Sequence, residues 1–241
     1  MSEGGDVPGV LTAAWLGRVN YPAAWEQQRE LFMARLDGDV GDAVMLLEHP
    51  PTYTLGRRAL AEDLVFNEAE RMARGISLYN VDRGGRATYH GPGQLVGYPI
   101  MAVGERYDVL AYLRKLETVL IRTALDLGVK AHRDEAHTGV WVGSNKIGAI
   151  GVKITRGITM HGFAFNVNTD LEMFEGIVPC GLQDRWVTSV QAITGMRTSV
   201  KEVAAIAANH LASVFDKGLV WTHPDALRVP IPAGRGRELG R

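Results

Sequence analysis

Residues 83 to 98 read RGGRATYHGPGQLVGY, and this stretch is the most informative part of the chain. It holds five glycines, one proline and one histidine, and it ends in an apolar run. Glycine loses more backbone entropy on folding than other residues, so it disfavours one regular element through the whole stretch. Gly84-Gly85 and Gly91-Pro92-Gly93 instead predict two tight turns around a short extended segment, Ala87 to His90.

The side chains carried by these two turns and the extended segment between them allow two interpretations. A turn-rich connection between strands is the plain one, and the loop would then cap a hairpin or a sheet edge. Polar side chains beside glycines that admit a close approach favour a ligand-binding loop instead. The polar side chains in question are Arg83, Arg86, Thr88, Tyr89, His90 and Gln94.

Composition restricts the function. The net charge of -1 gives no basic surface for nucleic acid, and no apolar run approaches the length of a membrane span. The first ten residues, MSEGGDVPGV, have neither the basic nor the apolar region of a secretory signal. Cys180 is the only cysteine, so no intramolecular disulfide can form. We therefore expect a cytoplasmic protein that contacts neither nucleic acid nor membrane.

The hydrophobic pattern predicts a single α+β domain over residues 10–222, with a mixed, largely antiparallel sheet and flanking helices. Residues 1–9 and 223–241 are predicted to be mobile termini. Asn20 and a capping box at Ser199 are expected to begin two of the helices. Strands are predicted over 10–19, 43–47, 76–81, 94–101, 138–142, 146–154 and 159–168, helices over 20–36, 67–74, 109–127 and 199–215, and an extended loop over 53–58.

Cys180 lies between Pro179 and Gly181. A lone cysteine is most often a small buried hydrophobic residue. A rigid, irregular turn is, however, the kind of segment that holds reactive groups, and a thiol acts as a nucleophile when a nearby cation favours its thiolate. The candidate partner is Lys146, which opens the predicted strand Lys146 to Ile154. Its plain interpretation is a solvated lysine, but the small residues after it would let an apolar chain lie against the backbone, and a lysine desolvated by such a ligand gives up its proton more readily.

Several other kinds of chemistry lack a motif. No CxxC or HExxH pattern occurs, and His132 and His137 are spaced five apart, which suits no helical metal pair. We therefore predict no metal site. No GxSxG, GxGxxG or GxxxxGK[ST] pattern is present, so serine-hydrolase, dinucleotide and P-loop chemistry have no support. His49, His90 and His161 lie in segments marked by glycine or proline; His49 and His161 are expected to orient loops, and the role of His90 is open.

The loop pattern RGGxxTYHxxGQxxxY at residues 83–98 resembles the signature of the octanoyltransferases of lipoate biosynthesis, the lipoate–protein ligase B family. Other segments match that family in the same order. They are LLEHP at 46–50, YTLGRR at 53–58, KIGAIGV at 146–152, HGFAFNVN at 161–168 and PCG at 179–181, followed by Thr188-Ser189.

The resemblance implies the fold of the biotin and lipoate ligase catalytic domain. It also implies that an octanoyl group passes from octanoyl-acyl carrier protein to a lysine of lipoyl domains, those of 2-oxoacid dehydrogenase E2 subunits and glycine cleavage H protein. Cys180 would carry the acyl group as a thioester and Lys146 would transfer protons; no cofactor is needed, and we expect a monomer. The implied acyl-binding residues are Arg83, Gly84, Gly85, Arg86, Ala87, Thr88, Tyr89, His90, Ala149, Ile150, Gly151, Gly162, Phe163 and Ala164, with His49 and His161 as supporting residues.

Two alternatives stay open at this point. An ATP-dependent lipoate or biotin ligase would share the fold, a glycine-rich loop and a strand lysine, but it would require no cysteine. A catalytically inactive acyl-binding or scaffold protein would bind octanoyl-acyl carrier protein without becoming acylated. Cys180 in its PCG turn favours the transferase.

Overall fold

The computed structural model describes residues 9–178 and 186–228. Within these residues, the short 3-10 turns Ala61–Asp63, Leu171–Gly176 and Pro224–Leu227 accompany the helices and strands. The strands are β1 (Val10–Arg18), β2 (Asp42–Glu48), β3 (Thr52–Leu55), β4 (Ser77–Asn80), β5 (Ala87–His90), β6 (Gln94–Ile100), β7 (His132–Arg133), β8 (Val140–Val142), β9 (Asn145–Thr155), β10 (Ile158–Asn166) and β11 (Gly218–Trp221). The helices are α1 (Tyr21–Asp37), α2 (Glu68–Ala73), α3 (Val109–Asp126), α4 (Val190–Thr194) and α5 (Val200–Val214).

The strands form two sheets. The large sheet has eight strands in the order β11-β1-β2-β6-β10-β9-β8-β7, and the small sheet has three in the order β4-β3-β5. β1 pairs in parallel with β2 and with β11, and every other pairing of these strands in the large sheet is antiparallel. The predicted α+β class with a mixed, largely antiparallel sheet is confirmed.

Alternate side chains of a strand point to opposite sides of its sheet, so the large sheet has two faces to bury. Helices cover both of them. On one side, Leu95 packs with buried residues of α3 and α5, among them Leu120 and Leu211. On the other side, Val96 packs with Phe32 and other buried residues of α1. A third cluster, which includes Tyr53, Tyr89 and Phe174, forms the core of the small sheet.

The glycine-rich loop joins the two sheets. β5 pairs with β3 in the small sheet, and β6, which follows three residues later, pairs with β2 and β10 in the large sheet. The predicted extended segment Ala87 to His90 is confirmed as β5. The expectation that the loop caps a hairpin is wrong, since its two flanking strands belong to different sheets.

Some local predictions are also wrong. Thr52–Leu55 is a strand rather than part of an extended loop, because Tyr53 is fully buried and its strand pairs with both β4 and β5. Neither Asn20 nor Ser199 makes a side-chain capping hydrogen bond, although α1 and α5 begin directly after them. At α3 a side-chain cap is present, since the Asp108 carboxylate accepts a hydrogen bond from the Ala111 N–H at 3.1 Å.

The predicted domain limits stay a prediction. Within the residues assigned to the C-terminal tail, Pro224–Leu227 form a 3-10 turn and Leu227 is buried in the cluster beneath α1. The pattern did not predict β11, which lies just before this turn. Among the described residues, no helix combines the length and the hydrophobicity that a membrane crossing requires.

Candidate active site

A pocket lies where the small sheet meets β9 and β10. Its floor contains two cross-strand pairs of small residues, Ala149 opposite Ala164 and Gly151 opposite Gly162. No side chain at these four positions is larger than a methyl group, so a bound molecule can approach the backbone.

Most of the residues predicted from the sequence line this pocket. Those that do are Arg83, Gly85, Arg86, Ala87, Thr88, His90, Lys146, Ala149, Ile150, Gly151, His161, Gly162, Phe163 and Ala164. Three further lining residues, Tyr21, Tyr98 and Thr138, are not among the predicted site residues. Tyr98 belongs to the quoted loop pattern, but Tyr21 opens α1 and Thr138 precedes β8, and neither carries a local sequence signal.

Three predicted residues lie just behind the lining. Gly84 donates its N–H to the Val152 carbonyl at 2.9 Å and so fixes the loop on β9. Tyr89 packs edge-to-face against Tyr53 and Phe174 in the small-sheet core. His49 contacts the pocket through Tyr98, whose hydroxyl lies 2.8 Å from its Nε2.

Two arginines hold the glycine-rich loop in place. Arg83 is buried and donates to the Thr54 carbonyl at 2.7 Å and to the Thr54 hydroxyl at 2.8 Å. Arg86 binds the fully buried Asp63 with both ends of its guanidinium, at 2.9 Å from Nε and 2.6 Å from Nη2. Such bidentate pairs fix orientation as well as position, so the pocket wall between the two arginines is rigidly supported.

Lys146 is buried at one end of the pocket, with 6% of its surface exposed. Its Nζ lies 4.6 Å from the centre of the Trp141 ring and donates to the Thr138 carbonyl at 3.3 Å. Its backbone is held from both sides, since its N–H donates to the Trp186 carbonyl and its carbonyl accepts from the Thr188 N–H, each at 2.9 Å. The Lys146 amino group is thus presented to the pocket from a fixed backbone.

Cys180 lies outside the described residues, so the predicted pairing with Lys146 stays a prediction. The described residues on either side of it are attached to the pocket. Val178 donates its N–H to the carbonyl of Asp63, the partner of Arg86, at 2.9 Å. Trp186 accepts from the backbone N–H of Lys146. Val178 is thus bonded to the residue that anchors Arg86, and Trp186 is bonded to Lys146.

The tautomer of His90 follows from a chain of hydrogen bonds. The Asn166 amide donates to the Thr188 carbonyl at 2.9 Å, which leaves its oxygen to accept from the Gln94 amide at 3.0 Å. The Gln94 oxygen then accepts from His90 Nδ1 at 2.9 Å. Because Nδ1 carries the proton, Nε2 is the acceptor that this ring offers to a group bound in the pocket.

His49 is fixed in the same way. Its Nδ1 donates to the Val19 carbonyl at 2.6 Å, so Nε2 accepts the hydrogen bond from the Tyr98 hydroxyl. Burial lowers the pKa of His49 to about 4, although the bond to Val19 opposes the shift. Burial, reinforced by the neighbouring His49, lowers the pKa of His90 well below its ordinary value. Both rings are therefore neutral at pH 7.

His161 is held in a strained conformation, with a φ of 57° that is uncommon for a residue other than glycine. Its N–H donates to the Gln28 side chain at 2.9 Å, and its Nε2 donates to Asp82 at 2.7 Å. Burial lowers the pKa of His161, against the pull of Asp82. Burial raises the pKa of Asp82, but the hydrogen bonds from His161 and Lys153 outweigh it and hold that pKa well below its ordinary value.

The neutral His49 predicts acid sensitivity of the fold. Its pKa in the folded protein, about 4, is below the ordinary value of 6.5, so between these values the unfolded chain binds more protons. Stability is complete above pH 6.5 and falls as the pH drops toward 4. We expect the free energy of unfolding to be about 2 kcal/mol lower at pH 5 than at pH 7 from this residue alone, measured by urea denaturation.

His49→Gln should reduce that dependence by the share of His49, since His90 and His161 also have lowered pKa values, whereas His223→Gln, a change at an exposed histidine, should leave it unchanged. An equal slope in wild type and His49→Gln would contradict the assignment.

Comparison with known proteins agrees with this geometry. Residues 20–212 match the family described as lipoyl protein ligase A/B catalytic domain. The octanoyltransferase of Chloroflexus aggregans is 48% identical over 210 residues, covering 86% of this chain and 95% of that protein. The octanoyltransferase of Gloeobacter violaceus is 49% identical over 213 residues, covering 88% of this chain and 91% of that protein.

A solved structure supports the predicted fold. Lipoate-protein ligase A bound with ATP superposes with a TM-score of 0.70 at 17% identity, covering 92% of each chain. The chain belongs to the lipoyl protein ligase A/B catalytic domain family, and the resemblance read from its loop pattern is confirmed.

Proposed function

We propose that this protein transfers an octanoyl group from octanoyl-acyl carrier protein to a lysine of lipoyl domains, through a thioester on Cys180 with Lys146 as its proton-transfer partner. The observation that carries the proposal is the buried Lys146 at the end of a pocket floored by small residues. The relatives named octanoyltransferase support the same reaction, and the predicted enzyme class, an acyltransferase, is confirmed by them.

In the first step, neutral Lys146 Nζ takes the proton of the Cys180 thiol. The thiolate attacks the thioester carbonyl of the donor, a new carbon–sulfur bond forms, and the bond to the donor sulfur breaks. The departing carrier thiolate takes the proton back from Lys146. One thioester replaces another, so the exchange is close to thermoneutral and requires neither ATP nor a cofactor.

In the second step, the neutral amine of the acceptor lysine attacks the Cys180 thioester. A carbon–nitrogen bond forms and the carbon–sulfur bond breaks. Lys146 accepts the proton that the amine loses and passes it to the Cys180 thiolate. Formation of an amide from a thioester makes this step favourable. The unprotonated Nε2 of His90 is positioned to accept a hydrogen bond from a group bound in the pocket.

The acceptors proposed are the lipoyl domains of 2-oxoacid dehydrogenase E2 subunits and of glycine cleavage H protein. We propose a monomer that acts in the cytoplasm and has no resident metal. Within residues 9–178 and 186–228, no group of three His, Cys, Asp or Glu side chains converges as a metal site would require.

The test is the intact mass of the protein after brief incubation with octanoyl-acyl carrier protein in the absence of ATP, beside Cys180→Ala. We expect a mass increase of one octanoyl group that hydroxylamine removes, and no increase in the variant. Transfer without an adduct in the wild type would move the chemistry away from Cys180. If neither adduct nor transfer appears until ATP is added, the protein is an ATP-dependent ligase, and the proposal fails.

A further inference from the structure

One peptide group separates Lys146 from a buried carboxylate on α3. The N–H of Gly139 donates to Glu117 Oε1 at 3.0 Å, and the carbonyl of Thr138 accepts from Lys146 Nζ at 3.3 Å. Both groups belong to the peptide bond between residues 138 and 139. In a trans peptide they point in opposite directions, so Glu117 and Lys146 bind opposite ends of the same dipole.

Glu117 is committed to this arrangement. It is fully buried, and its other oxygen, Oε2, pairs with Arg114 at 2.7 Å and with Arg133 at 3.2 Å. Both arginines pair with Oε2 and fix the plane of the carboxylate, which leaves Oε1 directed at the Gly139 N–H. A buried carboxylate with three such partners holds the groups around it firmly, because an unpaired charge there would be costly.

Gly139 makes the close approach possible. Its φ is 130°, a conformation that favours glycine, and an added Cβ would lie 2.7 Å from the Gly148 carbonyl oxygen and 3.2 Å from Lys146 Cε. The side chain of Lys146 therefore packs directly on the backbone at this position. A shift of the 138–139 peptide would move the acceptor of the ammonium and part of the surface against which its stem lies.

We propose that Glu117 is a positioning residue for Lys146, acting through the 138–139 peptide. The negative charge of Glu117 at the N–H end polarises the Thr138 carbonyl and strengthens the hydrogen bond of that carbonyl to protonated Lys146. The bond between Glu117 and the Gly139 N–H also holds the carbonyl in line with Lys146 Nζ. The inference rests on the proton-transfer role proposed for Lys146. It adds a third charged group, remote from the pocket, to the proposed catalytic pair.

Charged and titratable groups flank this arrangement on several elements. Arg114 and Arg133 face Glu117. The Trp141 ring, which lies against Lys146, also packs on the His137 ring, with 6.3 Å between the ring centres. The titratable side chains that line the same pocket as Lys146 are Tyr21, Arg83, Arg86, His90, Tyr98 and His161.

The experiment measures the rate of Cys180 acylation by octanoyl-acyl carrier protein as a function of pH. Glu117→Gln keeps an oxygen that accepts from Gly139 but removes the charge. Loss of the charge makes the protonated form of Lys146 less favourable, so the midpoint of the rising limb should move to lower pH. Arg133→Gln should move it the opposite way, because the carboxylate is then less neutralised.

Asp42 supplies a matched control. It is a buried carboxylate that likewise binds two cations, Arg35 at 2.7 Å and Lys217 at 2.7 Å, and one backbone N–H, that of Ala102 at 2.9 Å. It lies outside the pocket lining. Asp42→Asn should lower thermal stability and leave the midpoint unchanged.

Glu117→Ala, which removes the acceptor as well, should lower the plateau rate by about tenfold through misplacement of Lys146, and Glu117→Gln should restore much of it. A midpoint that stays at the wild-type value in both Glu117→Gln and Arg133→Gln would overturn the inference, whatever the loss of stability. If Glu117→Gln does not fold, Arg133→Gln alone decides, since the Arg133 side chain is 43% exposed. Wild-type protein that forms no adduct would instead contradict the proposed function itself.

Discussion

Replacing Lys146 with alanine is expected to lower the rate of octanoyl transfer by at least about a hundredfold, the range that loss of a general base produces. The variant loses the group that takes the thiol proton, and no other lysine lines the described pocket. The fold should persist, because the side chain packs on a loop peptide and a tryptophan ring at the pocket rather than within a core cluster. Single-turnover acylation and amide formation should both be measured, since Lys146 acts in each step.

The control for this experiment is Lys217→Ala. Lys217 is half-buried and pairs with Asp42 at 2.7 Å outside the pocket, so its loss should affect stability but not the rate at saturating donor. Circular dichroism and thermal unfolding of both variants separate folding from chemistry. Normal turnover by folded Lys146→Ala would remove Lys146 from the mechanism.

Replacing Gly162 with alanine is expected to lower the free energy of unfolding by about 3 kcal/mol, at the upper end of what overpacking costs. An added Cβ would lie 2.2 Å from the Gly97 carbonyl oxygen and 2.6 Å from Pro99 Cδ. Both atoms belong to β6, a central strand that cannot move without disturbing β2 and β10. Urea denaturation at equilibrium measures the loss.

Gly151→Ala is the matched comparison, because Gly151 is paired with Gly162 on the pocket floor. Its added Cβ would meet the Gly84 carbonyl oxygen at 3.0 Å and Arg83 Cδ at 3.1 Å, contacts less close than the two at Gly162. We expect a smaller loss of stability and a weaker apparent affinity for the octanoyl donor. Equal stability of Gly162→Ala and wild type would contradict this prediction, because it would mean that β6 can shift to accept the added methyl group.

Long, periodic elements of this chain can be predicted from sequence, whereas edge strands cannot. α3 has Leu116 and Leu120 on one buried stripe and begins at a capping aspartate, which are local signals. β11 has none, because its residues Gly218–Trp221 are mostly exposed and it is a strand only by pairing with β1, near the other end of the chain. β3 reads as a loop for a similar reason, since its partners lie in separate parts of the chain.

The candidate site shows the same division. Glycine-rich turns and a lysine at the start of a small-residue strand mark the loop and Lys146 directly. Tyr21 enters the pocket because α1 happens to begin beside β5, where its ring lies 6.0 Å from that of His90. Glu117 reads as one more polar residue of an amphipathic helix, and its bond to Gly139 depends on how α3 packs on β8 and β9. Contacts of this kind arise from tertiary packing and leave no local pattern.

The small sheet has its own core, separate from the two that flank the large sheet, and the pocket is the seam between them. Proteins open in cooperative units, and a ligand that bridges two units stabilises whichever opens more readily. An acyl chain bound in this seam would thus slow amide hydrogen exchange throughout β3, β4 and β5, most of whose residues never contact it.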